Sequence, residues 1–223
     1  MKVTAVIPSG GIGKRINSSL PKQYIQIKGK ELIAYTLQIF NASIHVDEIV
    51  IAAAPEYFEL LSDIKSKYGF NKIIKVVSGG KDRQDSVYNA LSSISAHSED
   101  LIVVHDAARP ILPASVLENA IATAKKHGAV VSAIKASDTL LKGNQTVESY
   151  LDRNDIYYVQ TPQVFKFGLL HEAMKKANLE NFIGTDESML VHNYGHKVVI
   201  VDGSPINIKV TNNEDLEIIK LLL

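Results

Sequence analysis

The residues near the amino end of the chain combine backbone freedom with positive charge. A short apolar run at 2–8 leads into a glycine-rich turn that basic residues follow closely. The turn and its cations are Ser9, Gly10, Gly11, Gly13, Arg15 and Lys22. Glycines let backbone N–H groups approach a polyphosphate without interference from Cβ atoms, and the two cations can neutralise charge that grows on it during a reaction. This segment therefore predicts a phosphate-binding site and nucleotide chemistry.

Two common phosphate-binding patterns do not fit this turn. A dinucleotide fingerprint needs a third glycine after Gly11 and Gly13, and a P-loop needs a lysine followed by serine or threonine. Lys14, Arg15 and Ile16 stand there instead. The alternative without a ligand is a tight connection between a strand and a helix.

The elements that must position this turn alternate along the chain. Strands are predicted at 2–8, 48–54, 72–78, 101–105, 129–134, 197–201 and 206–210, and helices at 31–42, 55–68, 84–96, 113–127, 166–177 and 213–223. Gly69 and Gly128 stand where helices would stop, and Thr211 with Glu214 predicts a capping box. The alternation predicts a Rossmann-like α/β fold, with a mostly parallel sheet flanked by helices.

The segment 136–155 interrupts this rhythm with hairpin chemistry. Its polar turn around Gly143 and Asn144 lies between residues that favour strands. Because a two-stranded arm is marginal alone, we expect a projecting β-arm that packs on a second copy of the chain, which predicts a homodimer. The alternative is a surface insertion without a partner.

Polar residues follow several predicted strands, at the edge where open α/β sheets bind ligands. They include Gly80, Arg83, Ser86, Asp106, Arg109, Arg153, Thr185 and Lys209. Each also has a plain structural interpretation: Arg83 pairing with Asp82 or Asp85 on a solvated face, Arg109 capping a strand end, Lys209 facing solvent, or Asp186 starting a helix. Because the fold brings all of them to one edge, the set predicts a single site.

The composition is typical of a globular enzyme. Of 223 residues, 46% are hydrophobic and 22% charged, with 24 basic and 24 acidic residues. A formal net charge of zero favours neither nucleic acid nor an anionic membrane as a partner, so any anion site is local. The absence of cysteine excludes disulfides and thiolate chemistry, and we expect a cytoplasmic enzyme without a signal peptide or membrane span.

Eight motifs in order resemble the family of 2-C-methyl-D-erythritol 4-phosphate cytidylyltransferases. They are Gly11-Ile12-Gly13-Lys14-Arg15, Pro21-Lys22-Gln23-Tyr24, Gly79-Gly80 with Arg83-Gln84-Asp85-Ser86-Val87, His105-Asp106-Ala107-Ala108-Arg109-Pro110, Asp152-Arg153, Gln160-Thr161-Pro162-Gln163, Thr185-Asp186-Glu187 and Asn207-Ile208-Lys209-Val210-Thr211. The resemblance spans nearly the whole chain. It implies one nucleotidyltransferase domain over 1–223 that transfers CMP from CTP to a methylerythritol phosphate and releases pyrophosphate, in non-mevalonate isoprenoid synthesis.

The resemblance also implies roles for individual residues. Arg15 and Lys22 would stabilise the α-phosphate in the transition state, while Lys209 and Arg153 would hold the attacking phosphate in line. The nucleotide would lie against Ser9, Gly10, Gly11, Gly13, Gly80, Arg83 and Ser86, and the acceptor against Asp106, Arg109, Thr139 and Thr185. The acceptor phosphate is already anionic, so no general base is needed.

The resemblance implies two further partners of the site. Mg²⁺ is expected on the phosphates of CTP rather than in a protein-only metal site, and a zinc pair at His192 and His196 is not expected. Arg153 and Thr139 would reach the site of the neighbouring subunit. Ser9 stands where the family usually has alanine, and its hydroxyl is expected to contact the nucleotide.

Two alternatives stay open. Ribitol 5-phosphate cytidylyltransferases share several of these motifs, although Ala107-Ala108 favours the methylerythritol enzymes. A regulator that binds nucleotides without catalysis would be expected to lose Lys22, Arg15 or Lys209, which this chain keeps.

Overall fold

The computed structural model describes residues 1–11, 16, 18 and 20–223. Gly13 and Arg15 lie outside the described residues, so their roles stay predictions. The strands are β1 (Val3–Pro8), β2 (Gln26–Ile27), β3 (Lys30–Glu31), β4 (Glu48–Ala53), β5 (Ile73–Ser78), β6 (Leu101–Val104), β7 (Ala129–Lys135), β8 (Leu140–Asn144), β9 (Thr146–Leu151), β10 (Tyr157–Lys166) and β11 (Val199–Asp202). The helices are α1 (Leu32–Ala42), α2 (Phe58–Tyr68), α3 (Arg83–Ser92), α4 (Ala114–His127), α5 (Phe167–Leu179), α6 (Glu187–Asn193) and α7 (Asn213–Leu222).

Among the described residues, the largest sheet has seven strands in the order β11-β7-β10-β6-β1-β4-β5. Strand β1 pairs in parallel with β4 and β6, and the pairs β4/β5 and β11/β7 are parallel as well. Strand β10 runs antiparallel to both of its neighbours, β6 and β7. The predicted α/β fold with a mostly parallel sheet flanked by helices is therefore confirmed.

Helices cover both faces of this sheet. Helices α1, α2 and α4 pack on one face, where Ala5 and Ile7 of β1 point, and α3, α5 and α6 pack on the other, where Val6 points. Apolar residues on both faces explain why the central strands are nearly continuous apolar runs. Helix α7 closes a smaller cluster in which Leu216 and Ile219 contact Leu32 and Ala108.

One predicted strand is absent from the structure, and one strand of the large sheet was not predicted. The segment 206–210 is not a strand, because its backbone carbonyls accept hydrogen bonds from side chains: Arg109 donates to Asn207 and Lys22 to Val210. Strand β10 was not predicted. It contains Pro162, which cannot donate to the ladder, at a shift of register between Val159 and Gln163.

The helix ends follow local chemistry closely. Gly69 and Gly128 adopt left-handed conformations at the ends of α2 and α4, as predicted. The capping box of α7 is one residue off the prediction: Asn212 and Asp215 form it, rather than Thr211 and Glu214.

Strands β8 and β9 form a separate antiparallel hairpin inside the segment predicted to be an arm. Its side chains are exposed except for the half-buried Leu140. The two ends of the segment that contains the hairpin lie side by side, because the N–H of Ala136 donates to the carbonyl of Ile156 over 2.9 Å. Its role in dimerisation stays a prediction.

In the described part of the chain, no helix is long and apolar enough to span a membrane. The cytoplasmic location stays a prediction.

Candidate active site

A cleft of about 270 Å³ lies where β1, β5 and β6 end. Its walls include Ser9, Gly10, Gly11, Lys22, Gly80, Arg83, Ser86, Asp106 and Lys209. These residues come from five separate segments. Three of the segments follow the parallel strands β1, β5 and β6, and those of Lys22 and Lys209 join them at the same edge of the sheet. The structure thus places nine predicted site residues around one space.

The turn Lys22–Tyr24 is joined to the glycine loop after β1 by side-chain hydrogen bonds. The side-chain amide of Gln23 donates to the carbonyl of Ser9 over 2.7 Å and to that of Gly11 over 3.0 Å. The hydroxyl groups of Ser9 and Tyr24 lie 3.1 Å apart, and both side chains are buried. The Ser9 hydroxyl therefore has a protein partner, and its contact with a nucleotide stays a prediction.

The second glycine turn, between β5 and α3, is closed by Ser86. Its hydroxyl accepts a hydrogen bond from the N–H of Gly80 at 3.0 Å and donates to the carbonyl of Asp82 at 2.8 Å. A Cβ atom at Gly80 would lie 2.1 Å from that of Asp85, so only glycine fits there. Ser86 thus shapes the wall of the cleft, and its predicted contact with cytidine stays a prediction.

Asp106, directly after the His105 that follows β6, gathers three cations. One carboxylate oxygen contacts Arg83 Nε at 3.1 Å, and the other contacts Arg109 Nε at 3.2 Å and Lys209 Nζ at 3.0 Å. Burial alone would raise the pKa of Asp106, but the charges of Arg83, Lys209 and Arg109 outweigh it and hold the pKa well below its usual range. The carboxylate is therefore ionised throughout the physiological range.

Arg83 is fixed from its other side by Glu187, the first residue of α6. Its Nη1 lies 2.7 and 2.8 Å from the two oxygens of the buried Glu187 carboxylate. Burial would lower the pKa of Arg83, but Glu187 and Asp106 raise it further above its ordinary value. The predicted alternative of a surface pair with Asp82 or Asp85 is wrong, because the partners are buried carboxylates distant in sequence.

Glu187 was not predicted as a site residue, although its neighbour Thr185 was. The available signal was an acidic pair, Asp186-Glu187, at a helix start. Asp186 is the N-cap of α6 and accepts from the N–H of Met189 at 2.8 Å, as its plain structural interpretation had it. Glu187 points inward and pairs with a residue 104 positions away.

A second cavity of about 220 Å³ shares Arg83, Asp106 and Lys209 with the cleft. It is further lined by Arg109, Gln160, Thr161, Gln163 and Thr185, among others. The hydroxyl of Thr161 accepts from the N–H of Asp106 at 3.1 Å, which ties β10 to the strand end of β6. The Asp106 cluster therefore forms the wall between two adjoining spaces.

Lys22 and Lys209 approach the cleft from segments that are bonded to each other. Lys22 Nζ donates to the carbonyl of Val210 over 2.7 Å, and the N–H of Val210 donates to the carbonyl of Ala108 over 2.9 Å. Both amines thus lie at the edge of the sheet, as expected for groups that bind phosphate. The alternative of a solvent-facing Lys209 strand residue is wrong, because its amine contacts Asp106.

Arg153 and Thr139 are not among the residues that line either cavity. Both are exposed at the base of the hairpin, and Arg153 Nη1 donates to the carbonyl of Ser137 over 2.7 Å. Their predicted contact with the site of a neighbouring subunit stays a prediction.

The described residues include no group of three or more His, Cys, Asp or Glu side chains that could hold a metal ion. The carboxylate at the centre of the cleft wall, Asp106, has both oxygens engaged by cations. This donor set does not suit a protein-only Mg²⁺ site.

A mostly parallel α/β sheet with two glycine turns and a cationic cleft at its strand ends suits a nucleotidyltransferase. The family model of 2-C-methyl-D-erythritol 4-phosphate cytidylyltransferase, IspD, matches residues 3–223. The chain belongs to this family.

Individual relatives agree over the full length. The chain is 41% identical to the 2-C-methyl-D-erythritol 4-phosphate cytidylyltransferase of Clostridium botulinum strain Langeland, covering 96% of this chain and 94% of that one. It is 40% identical to that of Clostridioides difficile strain 630, with 99% and 93% covered. Among solved structures, the Francisella tularensis enzyme superposes with a TM-score of 0.85 at 29% identity, with both chains covered completely. The structure from Thermus thermophilus gives 0.82 at 28% identity, covering 100% of this chain and 98% of that one.

Proposed function

We propose that the cleft transfers CMP from CTP to 2-C-methyl-D-erythritol 4-phosphate, giving 4-CDP-2-C-methyl-D-erythritol and pyrophosphate. An oxygen of the acceptor phosphate attacks the α-phosphorus of CTP, and the bond between the α-phosphorus and the bridging oxygen to the β-phosphate breaks. The observation that carries the proposal is the cluster of Arg83, Arg109 and Lys209 on Asp106, set between two glycine turns in a chain that matches the family from residue 3 to residue 223.

The nucleotide binds between the two glycine turns. Gly10 and Gly11 on one side and the turn at Gly80 on the other present backbone to the cleft without side chains. Arg83 and Ser86 complete this side, and we assign Gly13 to the same loop from the sequence. Lys22 supports the α-phosphate as negative charge develops on it, together with Arg15.

The acceptor phosphate binds on the side of the second cavity. Arg83, Arg109 and Lys209 face Asp106 and Glu187, so three cations oppose two carboxyl groups and the cluster has an excess of positive charge. Lys209 is the most exposed member and lines both cavities, which suits it to hold the acceptor phosphate in line with the α-phosphorus. Thr185 stands exposed at the edge of the same cavity.

We assign Mg²⁺ to the phosphates of the nucleotide, because the described protein residues include no group of side chains that could hold it. Mg²⁺ coordinated by the CTP phosphates would neutralise charge on the leaving pyrophosphate. The protein contributes the cations described above, and it needs no general base because the acceptor phosphate is already ionised.

A homodimer through the hairpin would complete the acceptor side. Leu141, Val147 and Tyr150 leave a largely exposed apolar surface on the hairpin, which a second copy of the chain would cover. In such a dimer, Arg153 and Thr139 would reach the partner's acceptor site.

Release of pyrophosphate tests the proposal directly. The chain is mixed with CTP, Mg²⁺ and either methylerythritol phosphate or ribitol 5-phosphate, and we expect faster turnover with the first acceptor. Faster turnover with ribitol 5-phosphate would make the chain a ribitol phosphate cytidylyltransferase, and binding of CTP without turnover of either acceptor would leave only a nucleotide-binding protein.

Substitution of Lys22 separates catalysis from binding. For Lys22→Ala we expect CTP binding within about tenfold of the wild type and turnover lowered by about 100-fold or more. Lys125→Ala, on the exposed side of α4, is the matched control and should retain full activity. Equal losses of binding and turnover in Lys22→Ala would contradict a role in the transition state.

Mixed dimers test the shared site. Chains carrying Arg15→Ala and chains carrying Arg153→Ala should each be inactive, and heterodimers should recover part of the activity because one of their two sites is intact. No recovery in verified heterodimers would rule out sharing.

A further inference from the structure

Gln23 lies buried beneath the glycine loop, with a relative exposure of 3%, and its side-chain amide is committed to that loop. Its nitrogen donates to two loop carbonyls, those of Ser9 and Gly11. A trans peptide unit is planar, and its N–H points opposite to its C=O. Fixing the Ser9 carbonyl on Gln23 therefore turns the N–H of Gly10 away from Gln23.

The space beside Gly11 indicates what the loop is shaped for. No described atom lies within 4 Å of the position that a Cβ at Gly11 would take, and no positive φ calls for glycine there. The packing of the described residues therefore does not require glycine at this position. Close approach of a ligand to the backbone would require it, because a Cβ would fill the space next to the loop.

The turn 22–24 also carries the cation Lys22 and makes a second contact to the glycine loop through Tyr24. Lys22, beside Gln23, reaches the carbonyl of Val210, and Tyr24 meets the Ser9 hydroxyl. Burial raises the pKa of Tyr24 to about 12, so its hydroxyl stays protonated in alkaline solution as well as at neutral pH. The turn 22–24 therefore connects the loop on one side to the segment of Lys209 on the other.

We propose that Gln23 is a positioning residue for the triphosphate. It binds two carbonyls of the loop so that the backbone N–H of Gly10 faces the phosphates. Because Gln23 follows Lys22 in the chain, the same two hydrogen bonds also fix the position of the loop relative to Lys22. Gln23 acts through the backbone that it orients. The proposal rests on the proposed function, in which the ligand of the loop is CTP.

The test compares CTP with CMP, which lacks the β- and γ-phosphates. Gln23→Met keeps the length of the side chain but removes both hydrogen bonds without adding charge. Binding is measured by calorimetry without acceptor. Two lost hydrogen bonds that orient the loop should weaken CTP binding by about tenfold or more, while CMP binding stays within about threefold. The matched control, Gln26→Met, makes the same chemical change at an exposed position that contacts Glu31, and should bind CTP as the wild type does.

The outcomes separate this inference from the proposed function. A wild-type chain that neither binds CTP nor releases pyrophosphate refutes the proposed function. A wild-type chain that does both, with unchanged CTP binding in Gln23→Met, overturns the role of Gln23 alone, and so does an equal loss of CTP and CMP binding. If Gln23→Met does not fold, Gln23→Leu decides by the same comparison, since leucine is also uncharged and has no N–H to donate to the two carbonyls.

Discussion

His105 makes the stability of the fold depend on pH below about 6.5. Its side chain is fully buried, its Nε2 donates to the carbonyl of Arg109 at 3.3 Å, and its ring packs 5.1 Å from that of Phe40. Burial lowers the pKa of His105 to about 3; the carboxylate of Asp106 opposes this shift, and the charges of Arg109 and Arg83 add to it. The folded protein therefore keeps His105 neutral at pH values at which the unfolded chain protonates it.

The magnitude follows from the difference between the two pKa values. An unfolded histidine has a pKa of about 6.5, so the unfolded state gains protons below that pH while the folded state does not. Stability is complete above the unfolded value and falls as pH decreases towards the folded value. At pH 5 the loss attributable to His105 is about 2 kcal/mol, because each pH unit between the two pKa values contributes about 1.4 kcal/mol.

The assay is urea unfolding followed by circular dichroism at pH 7.5, 6.5, 5.5 and 5.0, on the wild type and on His105→Gln. A glutamine can still donate to the Arg109 carbonyl but does not titrate. Carboxylates, including Glu187 with its pKa raised by burial, are present in both proteins, so their contribution cancels in the comparison. We expect the wild type to lose about 2 kcal/mol more than the variant between pH 7.5 and pH 5.0. Parallel losses in both proteins would refute the assignment of a buried, neutral His105.

Further predictions concern the Asp106 cluster and the two glycine turns. Asp106→Asn leaves Arg109 without a buried countercharge and Arg83 with Glu187 alone, and should lower the free energy of unfolding by about 3 to 5 kcal/mol; a loss below about 1 kcal/mol in urea would show that the cluster is solvated. Glu187→Gln should also destabilise, and combined with Asp106→Asn the loss should exceed the sum of the two single losses by about 1 kcal/mol, because only the double variant leaves the buried Arg83 without a carboxylate; strict additivity in the double-mutant cycle would contradict that coupling. Gly80→Ala should lower the melting temperature through its clash with Asp85, whereas Gly11→Ala should leave it nearly unchanged and raise the KM for CTP, and the reverse pattern would exchange the roles assigned to the two turns.

Local chemistry was sufficient to predict much of the fold from the sequence. Strand β1 and the glycine stops at Gly69 and Gly128 depend on residues close in sequence, and these predictions are confirmed. The convergence of the loops after β1, β5 and β6 also follows from a general rule, since parallel strands present their carboxyl ends at one edge.

The unpredicted features depend on contacts between distant segments. Strand β10 lies between two strands that it pairs with in antiparallel fashion, and neither its direction nor its place follows from its own residues. The segment at Asn207 looks like a strand by composition, yet its backbone is bonded by Arg109, 98 positions away. The partner of Arg83 likewise depends on where α6 packs. Asn207 and Arg83 thus each have a partner on an element that is distant in sequence.

The hydrogen bond between Ala136 and Ile156 has a consequence for how the molecule can change. The chain leaves the sheet after β7 and returns to it in β10, and this hydrogen bond joins the two ends of the intervening segment. The hairpin therefore lies outside the pairing of the central strands. Its length and surface can vary through insertion, deletion or exchange without altering the register of the central strands. The pairing of the central strands is thus set by residues outside the hairpin.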